Sequence, residues 1–196
     1  MKQKGFTLIE TLVAILILSI TMGSLMSLAA GGFYSVRYAR NQIAANALMQ
    51  ETLEFVRNSR DSGKIQGLSW EQWRQKFYVD QSGVQTGNPS SGCFSSNRCF
   101  IDPYTTGPQI KACSGGAATC PAIVYYPSQY FYGYTATYPF STSGQSYQTS
   151  FIRSVKMTDG AVGTDQVVVT VTVQWLNGLN TKTVSQDMVL SNWVMP

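Results

Sequence analysis

Glu10 is a lone carboxylate at the mouth of an apolar run, and the residues around it define the chemistry this end of the chain supports. The sequence opens MKQKGFTLIETLVAILILSI, and no charged residue occurs from Thr11 to Val36. A glutamate in the apolar zone of a bilayer costs roughly 2.5–3.5 kcal/mol, so Glu10 requires a counter-charge. The nearest cations are Lys2 and Lys4 on one side and Arg37 far along on the other. Hydrolysis of the bond after Gly5 would create a cation: it frees an α-amine on Phe6, one helical turn from Glu10 and equally able to meet the Glu10 of a neighbouring copy. The two lysines hold the leader at the cytoplasmic face, and Gly5 is small enough for a peptidase cleft. The chemistry is processing and charge pairing, performed on the chain rather than by it.

Four cysteines carry the other covalent chemistry. Cys93, Cys99, Cys113 and Cys120 form two near pairs with five and six residues between partners, and three connectivities are formally possible. Cys93 is expected to pair with Cys99 and Cys113 with Cys120, because each bridge closes a small turn rich in Gly, Ser and Asn. Zinc is the competing use of four thiols, but the chain has no histidine and no C-x-x-C spacing. Disulfides form in oxidising compartments, which suits a domain carried outside the cytoplasm.

Catalytic signals are lacking. General acid–base work would fall to scattered carboxylates and lysines, and no grouping has a recognisable nucleophile spacing. No enzyme activity, cofactor or metal is expected. Asp159 and Asp165 in TDGAVGTDQ lack the alternating oxygen ligands of a calcium loop. The aromatic stretch YYPSQYFYGYTATYPF holds Tyr125, Tyr126, Tyr130, Phe131, Tyr132, Tyr134, Tyr138 and Phe140, rings able to stack on bases or sugars. No Lys or Arg lies between Lys111 and Arg153 to track a nucleic-acid backbone, and losing Lys2 and Lys4 lowers the formal charge of +4 by two. No nucleic-acid partner is expected; strand tyrosines at a subunit contact are the first reading and adhesion to a glycan or surface the second.

These residues need a helix and a sheet to position them. The apolar run, centred on Leu12 to Ala30, is long enough to span a bilayer. It continues into RYARNQIAANALMQETLEFVRNSRDSG, where Tyr38, Ala45, Leu48, Met49, Thr52, Phe55 and Val56 share one face. Asn46, Gln50, Glu51, Glu54, Arg57 and Asn58 share the other. One helix over residues 6–60 is predicted, ending near Ser59 to Gly63, with Arg57 and Arg60 suited to the C-terminal dipole and Gly63 taking a left-handed cap. Gly23 and Gly31-Gly32 are hinge candidates within it.

KGFTLIE followed by a long apolar helix resembles the class III signal of type IV prepilins and type II secretion pseudopilins, and the resemblance covers residues 1 to about 60. It implies cleavage between Gly5 and Phe6 by a prepilin peptidase, N-methylation of Phe6, and a role for Glu10 in subunit addition. The implied partners are other pilin or pseudopilin subunits, an inner-membrane assembly platform and, before assembly, membrane lipid. The apolar helix would then be retained, first as a single-pass anchor in the cytoplasmic membrane and later in the core of an extracellular or periplasmic filament. No proline precedes Pro89, unlike many major pilins, and ANALMQETLEFVRNSRD is more similar to minor pilins and pseudopilins. A secretory signal cut near Ser27-Leu28-Ala29, or a plain membrane anchor, would leave Glu10 unexplained.

The expected organisation is a leader over 1–5, the long helix over 6–60 with its membrane part at about 6–30, and a globular domain over 61–196. Within that domain, residues 81–121 read as a loop-rich disulfide region. In DQVVVTVTVQW, Val167, Val169, Val171, Val173 and Trp175 alternate with Thr170, Thr172 and Gln174. Leu176-Asn177-Gly178-Leu179 supplies a hairpin turn. The return strand brings Val184, Met188 and Leu190 to the same face, and SYQTSFIRSVKM is a third strand. The fold expected is α+β, with the amphipathic half of the long helix packed on an antiparallel sheet. The function expected is a structural subunit of a type IV pilus-like filament, a minor pilin. The alternatives are a pseudopilin of a type II secretion or DNA-uptake machine and a membrane-anchored adhesin acting through its tyrosines.

Overall fold

The computed structural model describes residues 5, 7–105, 109–127, 130–134, 146–161 and 163–193. The chain divides into two compact units, Met1–Ile43 and Ala44–Pro196, and helix α1 (Leu8–Ile65) contributes residues to both. The boundary thus falls inside the helix rather than at its end. From Ala45 onward the helix buries a face in the core of the second unit, which groups residues 44–60 with the sheet.

In the first unit α1 is uninterrupted through Gly23, Gly31 and Gly32, and its large apolar side chains from Leu8 to Val36 are exposed. Thr7 stands where an N-cap residue would, its carbonyl accepting the amide of Thr11 at 3.3 Å. Hydroxyls in this segment turn back on the helix. Thr11, Ser19, Thr21, Ser24 and Ser35 each donate to a carbonyl three or four residues earlier, which satisfies them without water.

In the second unit Ala45, Leu48, Met49, Thr52, Leu53 and Val56 are buried. Leu53 joins the stripe expected from sequence, and Phe55 is only half-buried. The helix also runs five residues past Arg60, and Gly63 does not cap it. Gly63 is a buried helical residue over which the Leu68 side chain folds, close enough that a Cβ there would sit 3.3 Å from Leu68 Cδ1. Gly67 takes the left-handed position at φ 80°, with Gly67 N–H donating to the Lys64 carbonyl and Leu68 N–H to that of Gly63. This paired pattern is a Schellman motif, displaced four residues because the close approach of Leu68 uses the first glycine.

Helix α2 (Trp70–Gln75) follows, opened by a reciprocal capping box between Ser69 and Gln72. Its buried Arg74 reaches Asp159 at 2.6 Å and lies over the Phe94 ring at 5.2 Å, fastening α2 to the sheet.

Among the described residues the sheet has seven strands: β1 (Cys99–Ile101), β2 (Ile110–Ala112), β3 (Ala122–Tyr126), β4 (Phe131–Gly133), β5 (Tyr147–Gly160), β6 (Gly163–Asn177) and β7 (Asn180–Ser191). All pairings are antiparallel. β6 lies between β5 and β7, while the other side of β5 carries β1 and β3, with β2 beyond β1 and β4 beyond β3. Val167, Val169, Val171, Val173 and Trp175 are buried on one face with Val155 and Met157 of β5. The hairpin expected at 176–179 forms around Gly178 and Leu179, with Asn177 opposite Asn180 and Gly178 at φ 68°. Positive φ at the first central residue is the signature of a type II′ turn.

Leu190 is buried on β7, but Val184 and Met188 are half-buried, because β7 is an edge strand covered from one side only. The region at 81–121 is more regular than its composition suggests. β1 and β2 pair within it, and 3₁₀ turns form at Gly92–Phe94 and Ala117–Thr119. Gly92 adopts φ 57°, and a Cβ there would lie 2.3 Å from the Phe77 carbonyl oxygen and 2.6 Å from Val79 N. No other residue fits at that point of contact.

Candidate functional site

The residues proposed for processing lie at the start of α1. Gly5 is exposed and outside any helix or strand. Phe6 and the lysines at 2 and 4 lie outside the described residues. Glu10 is in the first turn of α1, with its amide donating to the Thr7 carbonyl at 3.1 Å, where a carboxylate complements the partial positive charge of the helix end. Its side chain is exposed and forms no hydrogen bond or ion pair among the described residues. Farther along, Ser24, Ser27, Leu28, Gly31, Gly32 and Ser35 line a shallow groove on one face of α1. Small side chains in that arrangement let another helix approach closely.

The cysteines are bonded Cys93–Cys99 and Cys113–Cys120, with Cα atoms 4.6 and 4.8 Å apart. All four are buried. The first bridge joins the Gly92–Phe94 turn to β1, whose Cys99 pairs with Val155 of β5; the second ties the loop after β2 to the start of β3. Replacing Cys93 and Cys99 together by serine is expected to lower stability by about 2–5 kcal/mol. A thermal melt under oxidising conditions measures this, and reductant should lower the wild-type midpoint towards that of the variant.

Asp159 is engaged by Arg74, and Asp165 accepts from the Asn192 side chain at 3.2 Å, so each carboxylate has a protein partner. Tyr138 and Phe140 of the aromatic stretch lie outside the described residues. Tyr125, Tyr126, Phe131 and Tyr132 form the β3–β4 hairpin, with Tyr126 stacked on Phe131 at 4.8 Å and Tyr125 against Tyr132 at 4.9 Å. Tyr134 is buried behind it.

The structure adds an interaction that sequence reasoning missed. Arg153 of β5 points into the core, 1% exposed, and pairs with Glu51 of α1 at 2.6 Å. It also donates to the carbonyls of Leu48 at 3.2 Å and Ile101 at 2.8 Å, and its guanidinium lies 5.7 Å from the centre of the Tyr134 ring. One cation thereby joins α1, β1 and β5. Burial, then the hydrogen bond with Glu51, push the Tyr104 hydroxyl up to about 12, and burial raises Tyr134 as well. A signal was present in the sequence: Phe151, Arg153, Val155 and Met157 share the inward face of the third strand. An arginine in that row requires an acid on the covering helix.

Residues 1–26 match the family model for the prokaryotic N-terminal methylation motif, a match that contains Gly5, Phe6 and Glu10. No curated protein and no solved structure matches the chain. The motif, the long N-terminal apolar helix and the antiparallel sheet fit a pilin-like protein with a type IV pilin or pseudopilin-like role. Signal and helix together point to anchoring in a membrane and to processing by prepilin peptidase.

Proposed function

We propose that this chain is a minor pilin, a structural and non-catalytic subunit of a type IV pilus-like filament. Prepilin peptidase cleaves it between Gly5 and Phe6 and methylates the new amine. Before assembly it spans the cytoplasmic membrane once, with the second unit outside the cytoplasm, and then enters a filament with other pilin subunits through the assembly platform. The observation that carries this reading is the division of α1. From Ala45 onward it is half-buried in its own domain, whereas the apolar window before that is 0% buried and must find lipid or other helices. The exposed Glu10 and the two disulfides support the same arrangement, since an exposed carboxylate suits assembly and disulfides suit an exported domain.

N-terminal sequencing with intact mass tests the first step: the mature chain is expected to start at Phe6 and carry a methylated amine. A mature start near Ala30 would refute it. Sheared surface filaments are expected to contain the chain in a small proportion. Its recovery only with a secretion apparatus would make it a pseudopilin.

A further inference from the structure

A groove of about 340 Å³ in the second unit lies between the Ala44–Glu51 stretch of α1 and residues Tyr104, Tyr130, Phe131 and Tyr132. Phe131 stacks on Tyr126 at 4.8 Å, whereas Tyr132, the next residue of β4, packs on Tyr125 on the opposite face of the hairpin. Tyr104 meets Phe131 edge-on at 5.3 Å and adds a corner. Tyr130 differs from these. It is 86% exposed and adopts φ 55°, a left-handed conformation disfavoured for a residue with a Cβ. A large ring held into solvent at a strained position invites a functional explanation.

We propose that this groove binds a neutral saccharide. Its charges act as a filter. Among the described residues Glu51 is the one charged side chain on its wall, so an anionic ligand meets a carboxylate. A cationic ligand fares no better, because the Arg153 guanidinium is fixed 2.6 Å behind that carboxylate and already neutralises it. An uncharged ligand rich in hydroxyl groups meets neither penalty. Glu51 accepts from Arg153 and Tyr104, and a carboxylate has acceptor capacity beyond two bonds. The Tyr130 phenol can donate and accept, the Tyr104 phenol, donating to Glu51, can still accept, and the ring faces suit the C–H faces of a pyranose. The volume lies at the small end of the range of about 300–1,000 Å³ for small-molecule sites, which suits a short run of sugar rings. The groove belongs wholly to the second unit, so this inference stands apart from the filament reading.

Envelope glycan strands and cell-surface glycoconjugates share this chemistry. The test is calorimetric titration of the full chain in detergent with three probes: chitotriose for the first source, a lactose-terminated tetrasaccharide for the second, and trigalacturonate as an anionic ligand of similar size. Binding of at least one neutral probe is expected, and which one binds identifies the source. Tyr130→Ala should weaken it by about fivefold or more, with both disulfides intact and an unchanged circular dichroism spectrum. Leu179→Ala, at a fully exposed residue of the β6–β7 turn outside the groove, should leave it unchanged. The proposal is overturned if neither neutral probe binds, if trigalacturonate binds as tightly, or if Tyr130→Ala has no effect on binding.

Discussion

Chains carrying Glu10→Ala are expected to insert in the membrane and to be cleaved and methylated like the wild type, yet to be missing from filaments. Glu10 contributes nothing favourable to insertion, so its loss makes the segment more apolar and a better anchor. Its side chain is exposed and forms no hydrogen bond or ion pair among the described residues, so the fold should be unaffected. Assembly reverses the balance. A methylated Phe6 amine arriving against a docked helix is a charge in an apolar surrounding, and deleting one member of a buried pair costs about 3–5 kcal/mol. At about 1.4 kcal/mol per factor of ten, that loss lowers incorporation by two to more than three orders of magnitude. Glu10→Gln should be nearly as damaging, since it keeps the shape without the charge, whereas Glu10→Asp should retain part of the function. Immunoblots of sheared filaments against membrane fractions measure the effect. Wild-type amounts of Glu10→Ala chains in filaments would show that Glu10 serves peptidase recognition alone.

The strongest periodicities in the sequence were also the most legible. Five inward residues from Val167 to Trp175 are buried as their alternation demands, and the Gly178 turn follows from the need for positive φ in a two-residue hairpin. The helix end is not legible in the sequence because two glycines, Gly63 and Gly67, compete for the cap. Only the tertiary contact of Leu68 with Gly63 decides between them. Residues 81–121 show no periodicity in the sequence because three-residue strands are too short to display one. β1 and β2 exist through pairing with one another and with β5 rather than through any pattern of their own. The charges at Arg153 and Glu51 were hidden for a related reason. Each looks ordinary on its own element, and only the packing of the helix on the sheet turns Glu51 from its polar face towards Arg153. The start of α1 was legible as chemistry, since one carboxylate in an apolar run is conspicuous without a fold. The aromatic groove was not, because Tyr104 and the Tyr130–Tyr132 hairpin are far apart in sequence and α1 supplies the opposite wall.

Removing Glu51 should destabilise the second unit more than removing Arg153, although the two form one ion pair. Arg153 is 1% exposed while the Glu51 side chain is 26% exposed. In Glu51→Ala the guanidinium stays in the core with two carbonyls and no counter-ion, and arginine cannot shed its proton to escape. Breaking a buried pair in this way costs about 3–5 kcal/mol, a large share of the 5–15 kcal/mol typical of a domain. In Arg153→Met the carboxylate can turn towards water and a flexible apolar side chain fills the space, so the loss should fall below that range. The double variant should be more stable than Glu51→Ala alone, because the stranded charge is gone. Thermal melts of the three full-length chains in detergent test the order. Tyr104 supplies an independent readout. Its hydroxyl is held from the ordinary value of about 10 up to about 12, by burial and then by Glu51. As pH rises between those values the unfolded chain releases this proton before the folded one, so the folded state loses stability there. In Glu51→Ala the absorbance titration of Tyr104 should move down towards its ordinary value, and the alkaline loss of stability should shrink with it. Equal destabilisation by Glu51→Ala and Arg153→Met, with an unmoved tyrosine titration, would mean that the carboxylate neither balances the buried guanidinium nor restrains Tyr104.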